Sequence, residues 1–285
     1  MSGKRVLVSG ATAGIGRETA LGLARLGAEV VIVGRNPEKT QGVVTELKAL
    51  SGNEKIEAVL GDLSSMRSIA NVAAEFTSRF KTLDVLVNNV GAMNPNRELT
   101  VDGYERTMAT NHLGYQLLTR ELLPALKHGG PARIVSVSSM AHRGFGTRLG
   151  SKIDFDDLMW ERKYSAFGQY SRSKLANILF TRELAKRLAG TNVTANSLHP
   201  GVVASSFIDK PGIWQFLAPM YRLVALNSEQ GARTSIYLAS SPEVEGVTGQ
   251  YFDKCKPAKT SREAQDDAVA AKLWAVSEEL INAKL

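Results

Sequence analysis

The chain has 285 residues, 44% hydrophobic and 22% charged, ordinary proportions for a folded soluble protein and enough for one large α/β domain. Its 35 basic residues outnumber 28 acidic ones to give +7, but there is no block of like charge and no basic stripe with interleaved aromatics, which argues against nucleic acid as a partner. The single Cys255 excludes a disulfide framework, and His112, His128, His142 and His199 have no ligand-like spacing, so no metal is expected.

The opening MSGKRVLVSG runs almost directly into a strand pattern, so neither a signal peptide nor an anchor helix is expected. No run approaches the ~18 apolar residues of a transmembrane segment, so the expected location is cytoplasmic. Strands are predicted at 5–10, 29–34, 56–61, 83–89, 133–139 and 193–200, with a weaker seventh at 247–253. They are rich in Val and Ile and nearly continuous, as parallel strands buried on both faces are. Helical periodicity marks 15–26, 37–50, 65–80, 101–127, 168–189, 228–240 and 264–281. Such alternation predicts one α/β domain: a doubly wound parallel sheet of about seven strands with helices on both faces. Two stretches break the rhythm after strand ends, 140–166 and the apolar 205–227. Ligands bind at that end of open α/β sheets, and loops of this length are usually functional.

Between the first strand and the first helix, VSGATAGIGRE places Gly10, Thr12, Gly14, Ile15 and Gly16. Small turn residues let the backbone approach a diphosphate, and the helix start offers free N–H groups and a positive dipole end. This Rossmann-type turn predicts a bound dinucleotide. The second strand ends VIVGRN, with Arg35 near where an acid would hold the ribose hydroxyl of NAD. A guanidinium pairs with a 2′-phosphate, so the expected cofactor is NADP(H). Arg17 could assist, although a surface role fits it as well. Asp62 and Leu63 follow the third strand, where Asp62 could receive the adenine amino group or cap the next helix. Asn89 and Gly91 fall at the end of the fourth strand beside the cofactor crevice, while Asn88 could tie neighbouring strands together.

The ordered set GATAGIG, NNVG, NHLG, SS, YSRSK and HPG resembles the short-chain dehydrogenase/reductase family from about residue 4 to the C-terminus. The resemblance implies Tyr170 as catalytic acid/base, Lys174 as its partner and ribose ligand, Ser139 as substrate-orienting hydroxyl, and Asn111 as holder of a relay water. It places Pro200, Gly201, Val203 and Ser205 around the nicotinamide, with His199 a structural loop residue. Helices 101–127 and 168–189 match those of the family's four-helix interface, so a homo-oligomer, a dimer or tetramer, is expected.

The stretch KIDFDDLMWERKYSAFGQYSRSKLAN and the tail GQYFDKCKPA resemble the retinol dehydrogenase and WW-domain-oxidoreductase-like branch. That implies reduction of retinal or other apolar carbonyl compounds, with 140–166 as an insertion. Phe207, Ile213, Trp214, Phe216, Leu217, Met220 and Tyr221 would then form a substrate lid, with ordinary core, a dimer surface or a membrane-surface contact as the other readings of this segment. Two other readings share the cofactor site: an idle NADP(H)-binding regulator, and a C=C reductase resembling protochlorophyllide reductase.

Overall fold

A computed structural model describes residues 1–144, 151–201 and 226–285. In chain order the elements are β1 (Arg5–Ser9), α1 (Gly14–Arg25), β2 (Glu29–Gly34), α2 (Pro37–Ser51), β3 (Ile56–Leu60), α3 (Met66–Arg79) and β4 (Val85–Asn88). Then come α4 (Arg106–Met108), a π turn (Ala109–Leu113), α5 (Gly114–His128), β5 (Ala132–Val137), α6 (Ala166–Arg187) and β6 (Val193–His199). The chain closes with α7 (Ser228–Ser240), β7 (Tyr251–Asp253), β8 (Lys256–Pro257) and α8 (Asp267–Asn282).

The described strands form one sheet in the order β3-β2-β1-β4-β5-β6-β7-β8, parallel except for the β7–β8 pair. Val6 pairs with Val30 on one side and Val85 on the other, so β1 is central and the strand order reverses between β1 and β4. That reversal opens the crevice where doubly wound sheets bind ligands. Alternate strand residues feed two cores. Val8, Ile32, Val87 and Val135 meet α1, α2 and α7, while Leu7, Val31, Leu86 and Ile134 meet α3, α5 and α6. The eighth strand, Lys256–Pro257, goes beyond the expected seven; two residues carry no periodicity to read. The weak seventh contracts from 247–253 to Tyr251–Asp253.

The helix expected over 101–127 begins only at Arg106. Gly103 has φ +81°, Leu99 bridges to Glu105, and the Glu105 carboxylate caps the helix by accepting from Thr107 N and Met108 N at 2.8 Å each. Residues 101–105 are thus a turn and a cap. Elsewhere helix bounds fall close to expectation. Asn36 accepts from Lys39 N with Pro37 behind it, and Gly52 ends α2 in the left-handed region at φ +66°.

The described part of the insertion, 151–166, packs as a wedge. Ile153, Phe155, Leu158 and Met159 join Met108, Leu175, Leu179 and Leu273 in a third apolar cluster between α6 and α8. Trp160 lies under the Arg172 guanidinium at 4.1 Å. The C-terminal helix α8 lies along α6, with Trp274 stacked on Phe180 at 5.7 Å. Arg120 and Gln116 of α5 both bond Glu278 of α8, at 2.9 and 2.6 Å. Residues 171–181 of α6 are consequently buried without a break by their own chain. Within this chain α8 packs against α6 and bonds α5, the helices expected to meet a second subunit.

Candidate active site

The glycine turn fits a dinucleotide diphosphate. Five of the longer helices start at a side-chain cap, Asn36, Ser65, Ser165, Asn227 and Asp266, but α1 starts at Ala13 with none. No acid stands in its first turn, so its N–H groups and positive end remain available to an anion. Gly14 has φ +56° with no atom within 4 Å of where a Cβ would sit, so the approach is open. Gly10 has φ +66°, and a Cβ there would come within 2.8 Å of Val90 Cα. Ile15 is half-buried, its carbonyl accepting from Thr19 Oγ1 at 2.7 Å.

A cleft of about 300 Å³ opens from this turn, lined by Gly10, Thr12, Arg35, Asp62, Leu63 and Gly91 among others. Arg35 is exposed there and forms no ion pair among the described residues. Arg17 is taken up instead by Glu18 and by Glu46 at 2.5 Å, which raises its pKa and gives it the surface role. Asp62 is not the helix cap: Ser65 caps α3, and Asp62 Oδ1 accepts from Ser64 N and Oγ at 2.9 and 2.8 Å. Leu63 is buried in the core beneath the cleft. Asn89 knits the turn to β4, donating from Nδ2 to Ser9 O and Gly10 O at 3.0 and 3.2 Å. Asn88 points to a helix rather than a strand, bonding Thr119 of α5 at 2.9 Å.

The reacting end gathers at the carboxyl ends of β4, β5 and β6. Lys174 is buried, its Nζ donating to Val137 O at 3.1 Å and lying 5.6 Å from the Tyr170 ring centroid. A Cβ on Gly91 would stand 3.2 Å from that Nζ, so this glycine keeps the space between lysine and cleft clear. Desolvation pushes the Lys174 pKa down to about 7. Ser139 accepts from Ala141 N at 3.1 Å through its Oγ, an oxygen that still has its own proton to give. Ser138, its neighbour, donates to Lys174 O at 2.6 Å and fastens α6 to β5.

Asn111 sits fully buried on the π turn, a local widening common at functional sites. Its amide is engaged with protein: Oδ1 accepts from Ala92 N at 2.8 Å, and Nδ2 donates to Ala92 O and Ser173 Oγ at 2.9 Å each. Ser173 in turn donates to Tyr170 O at 2.7 Å. Asn111 therefore pins the 90–94 segment to the helix carrying the tyrosine. His199 is structural here, accepting from Met140 N at 3.3 Å. Pro200 and Gly201 follow β6, Gly201 at φ +87° facing Leu226. Val203, Ser205 and the lid candidates from Phe207 to Tyr221 lie outside the described residues.

Sequence reading passed over Tyr115, Ser173 and His142. Tyr115 donates to Val90 O at 2.8 Å, and its ring lies 5.9 Å from Lys174 Nζ. Tyr115 stands four residues past Asn111, His142 three past Ser139, and Ser173 inside YSRSK itself; only the fold displays their contacts. A larger concavity, about 700 Å³, lies at the amino ends of β1, β4, β5 and β6, away from this chemistry. Its Lys4 and Asp84 are already paired at 2.8 Å.

A family model described as short chain dehydrogenase matches residues 4–148. The chain belongs to the short-chain dehydrogenase/reductase family and is retinol dehydrogenase-like. It is 44% identical to human retinol dehydrogenase 14 over 298 residues, covering 99% of this chain and 87% of that one. Human retinol dehydrogenase 13 is 40% identical over 286 residues, with 98% and 85% covered. Among solved structures, an uncharacterized protein from Mycobacterium paratuberculosis superposes with TM-score 0.80 at 34% identity, covering 99% and 94%. The active-site complex of Pseudomonas aeruginosa RhlG with NADP gives 0.70 at 28% identity, covering 88% and 94%. The protein is thus an oxidoreductase of a family that uses a nicotinamide cofactor. No described helix is long and apolar enough to cross a membrane.

Proposed function

We propose that this protein interconverts an apolar aldehyde or ketone, retinal-like in character, and its alcohol, using NADP(H), with Tyr170 as acid/base. The observation that carries the reading is the placement of Lys174 Nζ, buried, 5.6 Å from the Tyr170 ring and beside Gly91 at the mouth of the glycine cleft. The names of the relatives, retinol dehydrogenases 11 to 14, support the substrate class.

When bound, the nicotinamide supplies or accepts the hydride. The uncapped start of α1 would hold its diphosphate, and Arg35 a 2′-phosphate. In the reducing direction Tyr170 gives its phenolic proton to the substrate oxygen, and Ser139 donates a hydrogen bond to that same oxygen. A phenol with a pKa near ~10 parts with its proton reluctantly at neutral pH. The Lys174 ammonium offsets this by stabilising the phenolate. With its own pKa near 7, Lys174 can also pass a proton on within the neutral range. Asn111 and Ser173 keep the tyrosine's helix in register with the 90–94 segment.

The test is an initial-rate screen of NADPH and NADH against retinal, long aliphatic aldehydes, aromatic ketones and hydroxy acids. Turnover of the apolar carbonyl compounds with a preference for NADPH is expected. Tight NADPH binding without turnover of any carbonyl would overturn the reading.

A further inference from the structure

His142 lies at the end of β5, wholly buried on the 3-10 turn Met140–Arg143. Both of its N–H donors converge on one carbonyl oxygen, that of Ser139: the backbone N at 3.1 Å and the ring Nδ1 at 2.7 Å. The other ring nitrogen, Nε2, lies 3.1 Å from the backbone N of Ser261. These partners determine the tautomer. A carbonyl can only accept, so Nδ1 carries the proton; a backbone amide can only donate, so Nε2 takes it. The edge of Tyr251 closes the ring in at 5.2 Å. With Nε2 engaged by a main-chain amide, His142 has no nitrogen with which to take a substrate proton.

We propose that His142 is a positioning residue for Ser139, clamping the serine's main chain so that its hydroxyl is presented to the substrate oxygen. The proposal rests on the reading of Ser139 as the substrate-orienting hydroxyl. Ser139 stands just past the last residue of β5, beyond the ladder that holds Val137. Its backbone is extended, at φ −161° and ψ 155°, and its Oγ is aimed by the Ala141 N–H at 3.1 Å. Strand pairing ends at the preceding residue, where Ser138 N donates to Leu198 O at 2.8 Å, and the two hydrogen bonds from His142 then fix Ser139. The clamp's far end is the C-terminal segment before α8: Ser261 N holds the imidazole, and Arg143 donates to Lys259 O at 2.6 Å. The serine is thereby placed by a part of the chain more than a hundred residues away.

Two isosteres separate the halves of the clamp. His142→Asn puts an amide N–H near the Nδ1 position and keeps the donor to Ser139 O. His142→Gln reaches the Nε2 position and keeps only the acceptor for Ser261 N. His142→Phe keeps neither. Each is measured for kcat and KM with retinal and for NADPH affinity by fluorescence, in the parent and in a Ser139→Ala background. For His142→Phe, kcat is expected to fall at least about tenfold, with NADPH affinity within twofold. His142→Asn should restore most of the rate and His142→Gln little of it. In the Ser139→Ala background His142→Phe should cost less than about twofold further, because the two residues act through one interaction. Equal losses in both backgrounds, or equal rescue by Gln and Asn, would overturn the proposal. Full activity of Ser139→Ala alone would instead overturn the reading of Ser139, and the clamp's purpose with it. If His142→Phe fails to fold, the Asn and Gln pair still decides.

Discussion

Lys174 carries a conflict between stability and chemistry in a single side chain. Burial lowers its pKa to about 7, against about 10.4 in an unfolded chain. The sign follows from proton counting: between those values the unfolded chain keeps a proton that the folded chain has released. The cost of burying the ammonium is therefore full below pH 7 and is relieved as pH rises toward 10. Lys174→Met should raise the urea midpoint of the cofactor-free protein at pH 6.5, and the advantage should vanish by pH 10. Turnover should be lost throughout. Urea titrations of both proteins at the two pH values measure it; a destabilised variant at pH 6.5 would count against the buried charge. Arg35 makes the opposite case, since it is exposed and pairs with nothing described in the protein. Arg35→Asp should leave stability unchanged and weaken NADPH binding by ~10–100-fold, the scale of a lost charge-assisted bond, with little effect on NADH. Isothermal titration with each nucleotide checks it.

At the scale of elements, α1 is the helix whose start has been left bare. An acidic N-cap is worth ~1 kcal/mol, and an anion at a helix start a further few tenths. Ala13→Asp should therefore stabilise the cofactor-free protein by about 1 kcal/mol. It should also weaken NADPH binding at least about tenfold, because its carboxylate would occupy and repel from the diphosphate position. Paired melting and binding curves would show the trade; improved binding would contradict the assignment of that helix start. This turn was legible in the sequence because its glycines fall where strand periodicity gives way to helix periodicity. The parallel strands were legible because burial on both faces leaves continuous apolar runs. What escaped was structure made by side chains. The turn at 101–105 reads as helix until Glu105 is seen capping Thr107 and Met108. The π turn at Asn111 and the grip of His142 on Ser139 leave no periodic trace at all. The ordered motifs named Tyr170, Lys174 and Ser139, but not what holds them.

At the scale of the whole molecule, α8 and the insertion wedge act together. The wedge residues 151–166 fill the space between α6 and α8, and α8 then covers α5 and α6 through Trp274, Ser277 and Glu278. The stretch 171–181, buried on all sides, is held by its own chain. Hydrogen exchange across 171–181 should be slow and independent of protein concentration, and protection that grows with concentration would contradict this. Trp274→Ala removes the stack on Phe180 and the surface under Arg187, 4.6 Å from its ring. A loss of ~3 kcal/mol is expected in chemical denaturation, with the largest rise in exchange along α6. The same packing joins the C-terminus to the reacting end, since Ser261 reaches His142 and His142 reaches Ser139.

In the proposed function Tyr170 moves the proton and buried Lys174 makes that possible. The most direct measurement is a single-turnover experiment: NADPH-loaded protein is mixed with retinal, and loss of nicotinamide absorbance is followed for the parent and for Tyr170→Phe. A rate at least ~100-fold lower is expected in the variant, the scale of general-acid catalysis, with NADPH affinity unchanged within a few-fold. An undiminished rate in Tyr170→Phe would contradict it.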